Sequence, residues 1–178
     1  MVGITGSNGK TIVKEWLFQM LCHDYRIVRS PKSYNSQVGV PLSVWKLAPE
    51  YNFAIFEAGI SRPGEMERLE AVIRPTIGIF TNIGQAHDEH FTGQTEKIRE
   101  KLKLFTRAEK LIFCADHEGI ALEFRRVFGN SGPKPFTWSR IGDANLQVTR
   151  IIRQEKTTLT EALFHGKPFS FSIPFTDE

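Results

Sequence analysis

The sequence has little cysteine, little net charge and no long hydrophobic segment. Its 178 residues include two cysteines and carry a formal net charge of +3. Cys22 and Cys114 lie in apolar segments, so we expect buried free thiols in a reducing cytoplasm rather than a disulfide framework. The small, mixed charge disfavours a nucleic-acid surface. No apolar run approaches the ~20 residues that span a bilayer, and no secretory signal pattern is present, so no membrane partner is expected.

The chain has an ordinary globular composition, and its first part alternates apolar strands with amphipathic helices. Continuous apolar runs such as Phe53–Phe56 are typical of parallel strands that are buried on both faces. Over residues 1–142 this pattern predicts an α/β core, a mostly parallel sheet with helices on both faces. Over residues 143–178 apolar and polar residues alternate between short turns, which predicts a small antiparallel β portion.

Both ends of the sequence look cut. Met1 lies directly before the first apolar strand, and the last residues, 172–178, stop without a closing helix. We therefore expect residues 1–178 to be one domain of a longer protein, in which further domains precede and follow it.

The most informative motif is the segment Thr5–Thr11, with the sequence TGSNGKT. It joins an apolar run to a helical pattern, which is typical of a phosphate-binding loop, as in P-loop NTPases. In such a loop the backbone N–H groups and the positive end of the helix dipole point at the same phosphate. Lys10 can neutralise outer phosphates, and the Thr11 hydroxyl can hold Mg²⁺. The general phosphate loop has its first glycine where this sequence has Ile4. The loop is therefore a shorter form, and a glycine-rich connection without a ligand is the alternative.

Polar residues follow two further apolar strands, and the carboxyl ends of parallel strands meet at one edge of a sheet. Glu57 follows Phe53–Phe56 and is a candidate Mg²⁺ ligand, although a carboxylate can also merely cap the next turn. Asn82 and His87 follow the next strand. Imidazole is an unusual ligand for Mg²⁺ but a normal one for Mn²⁺. The alternative for His87 is a solvated loop histidine.

Lys101 lies in a helix predicted over residues 95–105. Helical spacing places it on the flank of the inward stripe that Ile98 and Leu102 form. From position alone, Lys101 is expected to be a snorkelling lysine, with its stem against the apolar surface and its ammonium group in water.

Together these elements resemble the Mur ligases, the ATP-dependent amide-forming enzymes of peptidoglycan synthesis. The resemblance covers nearly the whole chain, as the central ATP-binding domain, and one segment is similar to the branch that adds D-alanyl-D-alanine. The matching segments are TGSNGKT at 5–11, EAG at 57–59, RPGE at 62–65, TNI at 81–83, AH at 86–87 and, for that branch, NSQVGVP at 35–41.

The resemblance implies a role for each matching residue. The residues implied in ATP binding are Thr5, Gly6, Ser7, Asn8, Gly9, Lys10, Thr11 and Asn82. Those implied in catalysis are Lys10, Glu57, His87 and Lys101. Thr11 and Glu57 would hold a first Mg²⁺, and His87 a second. Lys101 matches the family lysine that CO₂ carbamylates, which changes its expected role from snorkelling to the metal site. Asn35 and Ser36 would lie near the incoming UDP-sugar peptide.

The implied reaction is ligation. ATP would phosphorylate the terminal carboxylate of UDP-MurNAc-tripeptide, and the amine of D-Ala-D-Ala would attack the acyl phosphate. The implied partners are these two small molecules and the missing N- and C-terminal domains, without which the fragment should not turn over. Some relatives of this branch are also fused to an alanine racemase.

Two alternatives stay open. A ligase like folylpolyglutamate synthetase would share the loop and the amide chemistry but would use a folate. The second is a non-catalytic nucleotide-binding or regulatory module, which the absence of Glu57, His87 or Lys101 would favour, but all three residues are present. A nucleic-acid motor is disfavoured by the small net charge of +3 and the absence of a basic stripe.

Overall fold

The computed structural model describes residues 1–84, 90–174 and 176. Its strands are β1 Val2–Thr5, β2 Ile27–Arg29, β3 Phe53–Glu57, β4 Ile77–Phe80, β5 Lys110–Cys114, β6 Lys134–Ser139, β7 Leu146–Arg153, β8 Thr158–Phe164 and β9 Lys167–Ile173. Its helices are α1 Lys10–Leu21, α2 Gly39–Val44, α3 Glu65–Ile73, α4 Gln94–Leu102 and α5 Glu118–Phe128, and a 3₁₀ turn at Lys103–Phe105 extends α4.

Within the described residues all strands belong to one nine-stranded sheet, in the order β2-β3-β1-β4-β5-β6-β7-β8-β9. Every pairing from β2 across to β7 is parallel. The pairings of β8 with β7 and β9 are antiparallel. This confirms the predicted fold class. The antiparallel strands continue the main sheet, because β7 pairs with β6 at Trp138↔Leu146 and Ser139↔Gln147.

The strand order puts β1 between β3 and β4, so the carboxyl ends of these three strands lie side by side. The chain builds β2 and β3 on one side of β1 and then crosses to build β4 on the other side. Such a change of direction in an open parallel sheet leaves a crevice at the carboxyl edge, which is where ligands bind.

Helices cover both faces of the parallel strands, because the residues of a buried strand point alternately to each face. Val2, Ile4 and Ile55 pack under α1, where they meet Val13 and Leu17. The larger cluster lies on the other face. It includes Phe56 and Phe80 from the sheet, Met66 and Leu69 from α3, Ile98 from α4 and Phe124 from α5.

The sequence pattern predicts a strand over residues 76–83, a helix over residues 63–73 and a helix that opens at Pro41, and the structure differs at each of these ends for a physical reason. β4 ends at Phe80 rather than at Ile83, because the backbone beyond it turns to bond the phosphate loop. α3 begins at Glu65 rather than at Pro63, after Gly64 with a left-handed φ of 81°. Pro41 lies inside the first turn of α2 rather than opening it, since that helix already begins at Gly39.

Both cysteines are free thiols, as predicted, but only Cys114 is buried and Cys22 is half-buried. Cys22 is the C-cap of α1 and lies where that helix reaches the surface. Among the helices that the structure describes, none combines the length and the apolar character that a membrane crossing requires.

Candidate functional site

The loop between β1 and α1 has the conformation of a phosphate cradle. Gly6 has φ +149°, and a Cβ there would lie 1.9 Å from Thr81 Oγ1, so only glycine fits. Gly9 is left-handed at φ 79° and precedes the first turn of α1. The loop therefore leads directly into the N-terminus of α1, and a helix N-terminus is a favourable site for anions.

The segment after β4 holds this loop in place. The Ser7 N–H donates to the Asn82 carbonyl at 2.9 Å, and the Asn8 N–H donates to Asn82 Oδ1, also at 2.9 Å. Thr81 Oγ1 donates to the Asn8 carbonyl at 2.6 Å. Asn82, predicted to bind nucleotide, thus braces the loop with both its backbone and its side chain.

Lys10 and Thr11 open α1 and point toward the loop and β3. Lys10 Nζ donates to the Gly6 carbonyl at 2.9 Å and to the Ser7 carbonyl at 3.2 Å. Burial lowers the pKa of Lys10, Glu57 opposes that shift, and the Lys97 ammonium adds to it. The Thr11 hydroxyl donates to Glu57 Oε2 at 3.0 Å. The loop lysine and the candidate magnesium ligands therefore adjoin one another.

Glu57 is the last residue of β3, and its side chain is fully buried. Its carboxylate contacts lie on α1 rather than on the turn after β3: Thr11 on Oε2, and Lys14 Nζ at 3.0 Å from Oε1 in an ion pair. Within the described residues Oε1 accepts no hydrogen bond of normal geometry. A buried carboxylate beside a hydroxyl is a set of hard oxygen donors, and this chemistry fits Mg²⁺.

Lys101 is buried rather than snorkelling, so the expectation from its position alone is wrong. Its side chain is 3% exposed, and Nζ donates to the Gly6 carbonyl at 3.1 Å. Burial, together with the ammonium groups of Lys10 and Lys97, lowers the pKa of Lys101 to about 7. At neutral pH a substantial fraction of this amine is therefore uncharged.

Sequence reasoning missed two further buried lysines, Lys14 and Lys97. Lys14 lies behind Glu57, and Lys97 Nζ donates to the Gly84 carbonyl at 2.6 Å. The available signal was spacing: Lys14 follows Lys10 by four residues, and Lys97 precedes Lys101 by four. Residues four apart share a helix face, so each pair points to the same side.

A cavity of about 260 Å³ connects the loop to the segment predicted to meet the second substrate. Gly6, Lys10 and Lys101 line one side, and Asn35 and Ser36 line the other. The Asn35 carbonyl accepts the Gly59 N–H at 2.7 Å. Ser36 Oγ accepts the Gly39 N–H at 3.1 Å, which ties it to the start of α2. The structure thus brings residues predicted for ATP binding and catalysis and residues predicted to lie near the UDP-sugar peptide to one cavity.

His87, predicted as the second metal ligand, lies outside the described residues, as do its neighbours between 85 and 89. In the part of the chain that is described, no group of three or more His, Cys, Asp or Glu side chains could hold a metal ion. Mg²⁺ commonly binds through only one or two carboxylates together with substrate phosphates and water. The pairing of Thr11 with Glu57 therefore remains a suitable partial site.

Comparison with known proteins gives a match to the family model of the Mur ligase middle domain over residues 4–177. A curated relative, the UDP-N-acetylmuramoyl-tripeptide--D-alanyl-D-alanine ligase of Borreliella burgdorferi, is 39% identical over 140 residues. That alignment covers 75% of this chain and 29% of the relative. The chain thus spans less than a third of this relative's length.

Solved structures show the same fold. The MurF ligase of Thermotoga maritima, solved in complex with ADP, superposes with a TM-score of 0.84 at 23% identity, over 96% of this chain and 39% of that one. The folylpolyglutamate synthase of Mycobacterium tuberculosis superposes with a TM-score of 0.66 at 14% identity, over 95% of this chain and 48% of that one. Both identities are low, so these likenesses concern the fold.

Proposed function

Because the chain belongs to the Mur ligase family as a middle domain, we propose that it is the ATP-binding domain of a longer D-Ala-D-Ala-adding ligase. The substrate proposed for the whole protein is UDP-MurNAc-tripeptide. Support comes from the name of the B. burgdorferi relative, 39% identical, and from the 29% of its length that the chain spans. The remaining length allows for the flanking domains that the sequence predicts.

The single observation that carries the proposal is the meeting of Lys10, Thr11, Glu57 and Lys101 around one phosphate loop. Thr11 Oγ1 lies 3.0 Å from Glu57 Oε2, and both Lys10 and Lys101 reach the Gly6 carbonyl, at 2.9 and 3.1 Å. Two lysine ammonium groups and one carboxylate lie beside the phosphate loop. Such groups suit a reaction in which the negatively charged ATP phosphates and a substrate carboxylate must be brought together.

The metal part of the proposal rests on Thr11 and Glu57. Their hydroxyl and carboxylate oxygens would hold Mg²⁺, which when bound neutralises phosphate charge and helps to orient the phosphates. His87 stays part of the proposal as the ligand of a second divalent cation, Mg²⁺ or Mn²⁺. Lys101 would react with CO₂ to give a carbamate and a proton, which replaces a cation with an anionic oxygen ligand.

The residues of this chain would act mainly by alignment and charge neutralisation. The N-terminus of α1 and Lys10 would hold the ATP phosphates while the tripeptide carboxylate attacks the γ-phosphorus and ADP leaves. The amine of D-Ala-D-Ala then attacks the acyl carbon, phosphate departs and the amine loses a proton. Asn35 and Ser36 border the cavity through which the UDP-linked substrate would approach. We propose that this ATP-dependent reaction takes place in the cytoplasm.

The folate alternative is less well supported. The folylpolyglutamate synthase fold superposes less closely than the MurF fold, with a TM-score of 0.66 against 0.84. Absence of Glu57, His87 or Lys101 would have favoured a non-catalytic module, and the sequence has all three. The comparisons give no support to a fused alanine racemase, and we do not propose one.

A substrate panel on the full-length protein tests the proposal. ATP consumption is measured with UDP-MurNAc-tripeptide plus D-Ala-D-Ala and, separately, with dihydrofolate plus glutamate. ADP release that requires both cell-wall substrates supports the proposed function. Release with the folate pair supports the alternative, and release with neither pair removes both ligase proposals.

A further inference from the structure

A fully buried lysine, Lys14, lies behind Glu57 and has no part in the function proposed above. Its side chain is 0% exposed, and Nζ lies 3.0 Å from Glu57 Oε1. The same ammonium donates to the Ser30 carbonyl at 2.8 Å and to the Lys32 carbonyl. A buried ammonium is costly unless its partners are well placed. These contacts explain how the buried ammonium of Lys14 is stabilised, but they do not explain its role.

The two oxygens of Glu57 face different partners. Oε1 faces Lys14 at 3.0 Å, and Oε2 accepts the Thr11 hydroxyl at 3.0 Å. The Glu57 N–H donates to Ser30 Oγ at 3.1 Å, and Lys14 holds the carbonyl of that same serine. The carboxylate is therefore held from behind by the ion pair with Lys14 rather than by a hydrogen bond to Oε1, and Oε2 is the oxygen presented toward the start of α1.

We propose that Lys14 is a positioning residue that aims Glu57 at the Thr11 hydroxyl and so prepares the carboxylate for a divalent cation; this rests on the proposed function. Lys14 follows Lys10 by one turn of α1, so one helix carries both the phosphate-side lysine and the lysine behind the carboxylate. Its bonds to Ser30 and Lys32 anchor it to the backbone after β2. Changing a group that orients a metal ligand typically weakens metal affinity by about 10- to 100-fold.

The test measures the Mg²⁺ concentration that gives half-maximal ATP binding to the full-length protein. In Lys14→Met this concentration should rise by about tenfold or more, because Glu57 loses its orientation. Charge alone predicts the opposite, since removing an ammonium beside the carboxylate would strengthen Mg²⁺ binding. An unchanged or lower Mg²⁺ requirement would therefore overturn the inference. Lys14→Arg keeps the charge and should recover part of the shift.

Glu15→Gln is the matched control. It weakens the 3.1 Å contact between Lys14 and the partly exposed Glu15 but leaves Glu57 untouched. Exposed ion pairs contribute little, so its Mg²⁺ requirement should stay within about twofold of the wild type. A shift as large as that of Lys14→Met would mean that Lys14 does not act through Glu57.

The double variant Lys14→Met/Glu57→Gln covers the case in which Lys14→Met alone does not fold, because it also removes the unpaired buried charge. It should have the same Mg²⁺ requirement as Glu57→Gln, and a further increase would contradict the inference. If Glu57→Gln shifts the requirement and Lys14→Met does not, only the role of Lys14 is wrong. If Glu57→Gln shifts nothing, the proposed metal site is wrong, and the role of Lys14 falls with it.

Discussion

The parallel part of the sheet and its antiparallel extension differ in what they bury. All the buried ionisable side chains of the described residues precede β7. Glu57, Lys97 and Lys101 contact the phosphate loop or the segment that braces it, and Lys14 pairs with Glu57. In the described part of β7–β9 the buried side chains are two threonines and an alanine. There Phe164, Phe169 and Phe171 stay 42–44% exposed.

This difference separates the part of the fold for which we propose chemistry from the part that extends the sheet. Burying a charge is unfavourable unless partners compensate, so several buried charges beside one loop mark a functional site. The described residues of the antiparallel strands bury no charged side chain, so these strands carry no desolvation cost of this kind. Changes in the parallel part should therefore affect ligand binding and activity, and matched changes in the extension should affect stability only slightly.

The largest expected effect comes from Lys10→Ala in the full-length protein. Losing the ammonium proposed to neutralise the phosphates should reduce ATP-dependent ligation by at least about 100-fold. The matched control is Lys156→Ala, at an exposed lysine on the turn between β7 and β8, which should keep near wild-type turnover. Substantial activity in Lys10→Ala would contradict the phosphate-loop assignment.

Lys101→Ala is expected to be nearly inactive, because it removes the amine that would become a carbamate. Short carboxylic acids such as formate or acetate should restore part of the rate, since a free carboxylate can occupy the vacated space. The measurement is the initial rate of ligation with and without added acid. Wild-type rates in Lys101→Ala would remove the carbamate proposal.

Two glycine substitutions compare the regions directly. At Gly6 a Cβ would lie 1.9 Å from Thr81 Oγ1, so Gly6→Ala should lower the free energy of unfolding by about 2–4 kcal/mol. Gly166, in the turn between β8 and β9, has φ +77°, and a Cβ there would meet no described atom within 4 Å. Gly166→Ala should cost only about 1–2 kcal/mol. Urea unfolding measures the free energy of unfolding of both variants. Equal losses in the two variants would contradict the proposed difference between the two regions of the sheet.

The last expected effect, small over any single pH unit, is a pH dependence of stability. The pKa of Lys101 is about 7 in the folded chain, whereas an unfolded lysine titrates near about 10.4. Between these values the unfolded chain binds more protons, so the free energy of unfolding should rise with pH, by at most about 1.4 kcal/mol per unit from this group. Lys101→Met should flatten that rise in bicarbonate-free buffer. Parallel curves for both proteins would show that the pKa of Lys101 is not lowered.

Much of the fold could be predicted from the sequence because strand and helix patterns are local. Apolar runs such as Phe53–Phe56 indicated the parallel strands, and TGSNGKT marked the junction of β1 and α1. The end of β4 could not be predicted, because it depends on long-range bonds between Asn82 and the loop. The pairing of β7 with β6, which makes the extension part of the main sheet, is likewise set by tertiary contacts.

The candidate site was predictable only in part. Glu57 and Asn82 could be placed at the carboxyl edge from strand order alone. The burial of Lys101 could not, because helical spacing gives only its angle from the apolar stripe and not the depth of the neighbouring loop. Lys14 escaped notice because its partners, Glu57 and Ser30, come from distant segments of the chain.

The most direct test of the account is a calorimetric titration of the full-length protein with ATP, in the presence and in the absence of Mg²⁺. The account predicts that ATP binds with Mg²⁺, and that removing Mg²⁺ weakens binding by about tenfold or more, because buried Glu57 then faces the phosphates without a cation between them. ATP binding that is undetectable, or equally tight without Mg²⁺, would contradict the claim that the buried charges around the loop form a metal–nucleotide site.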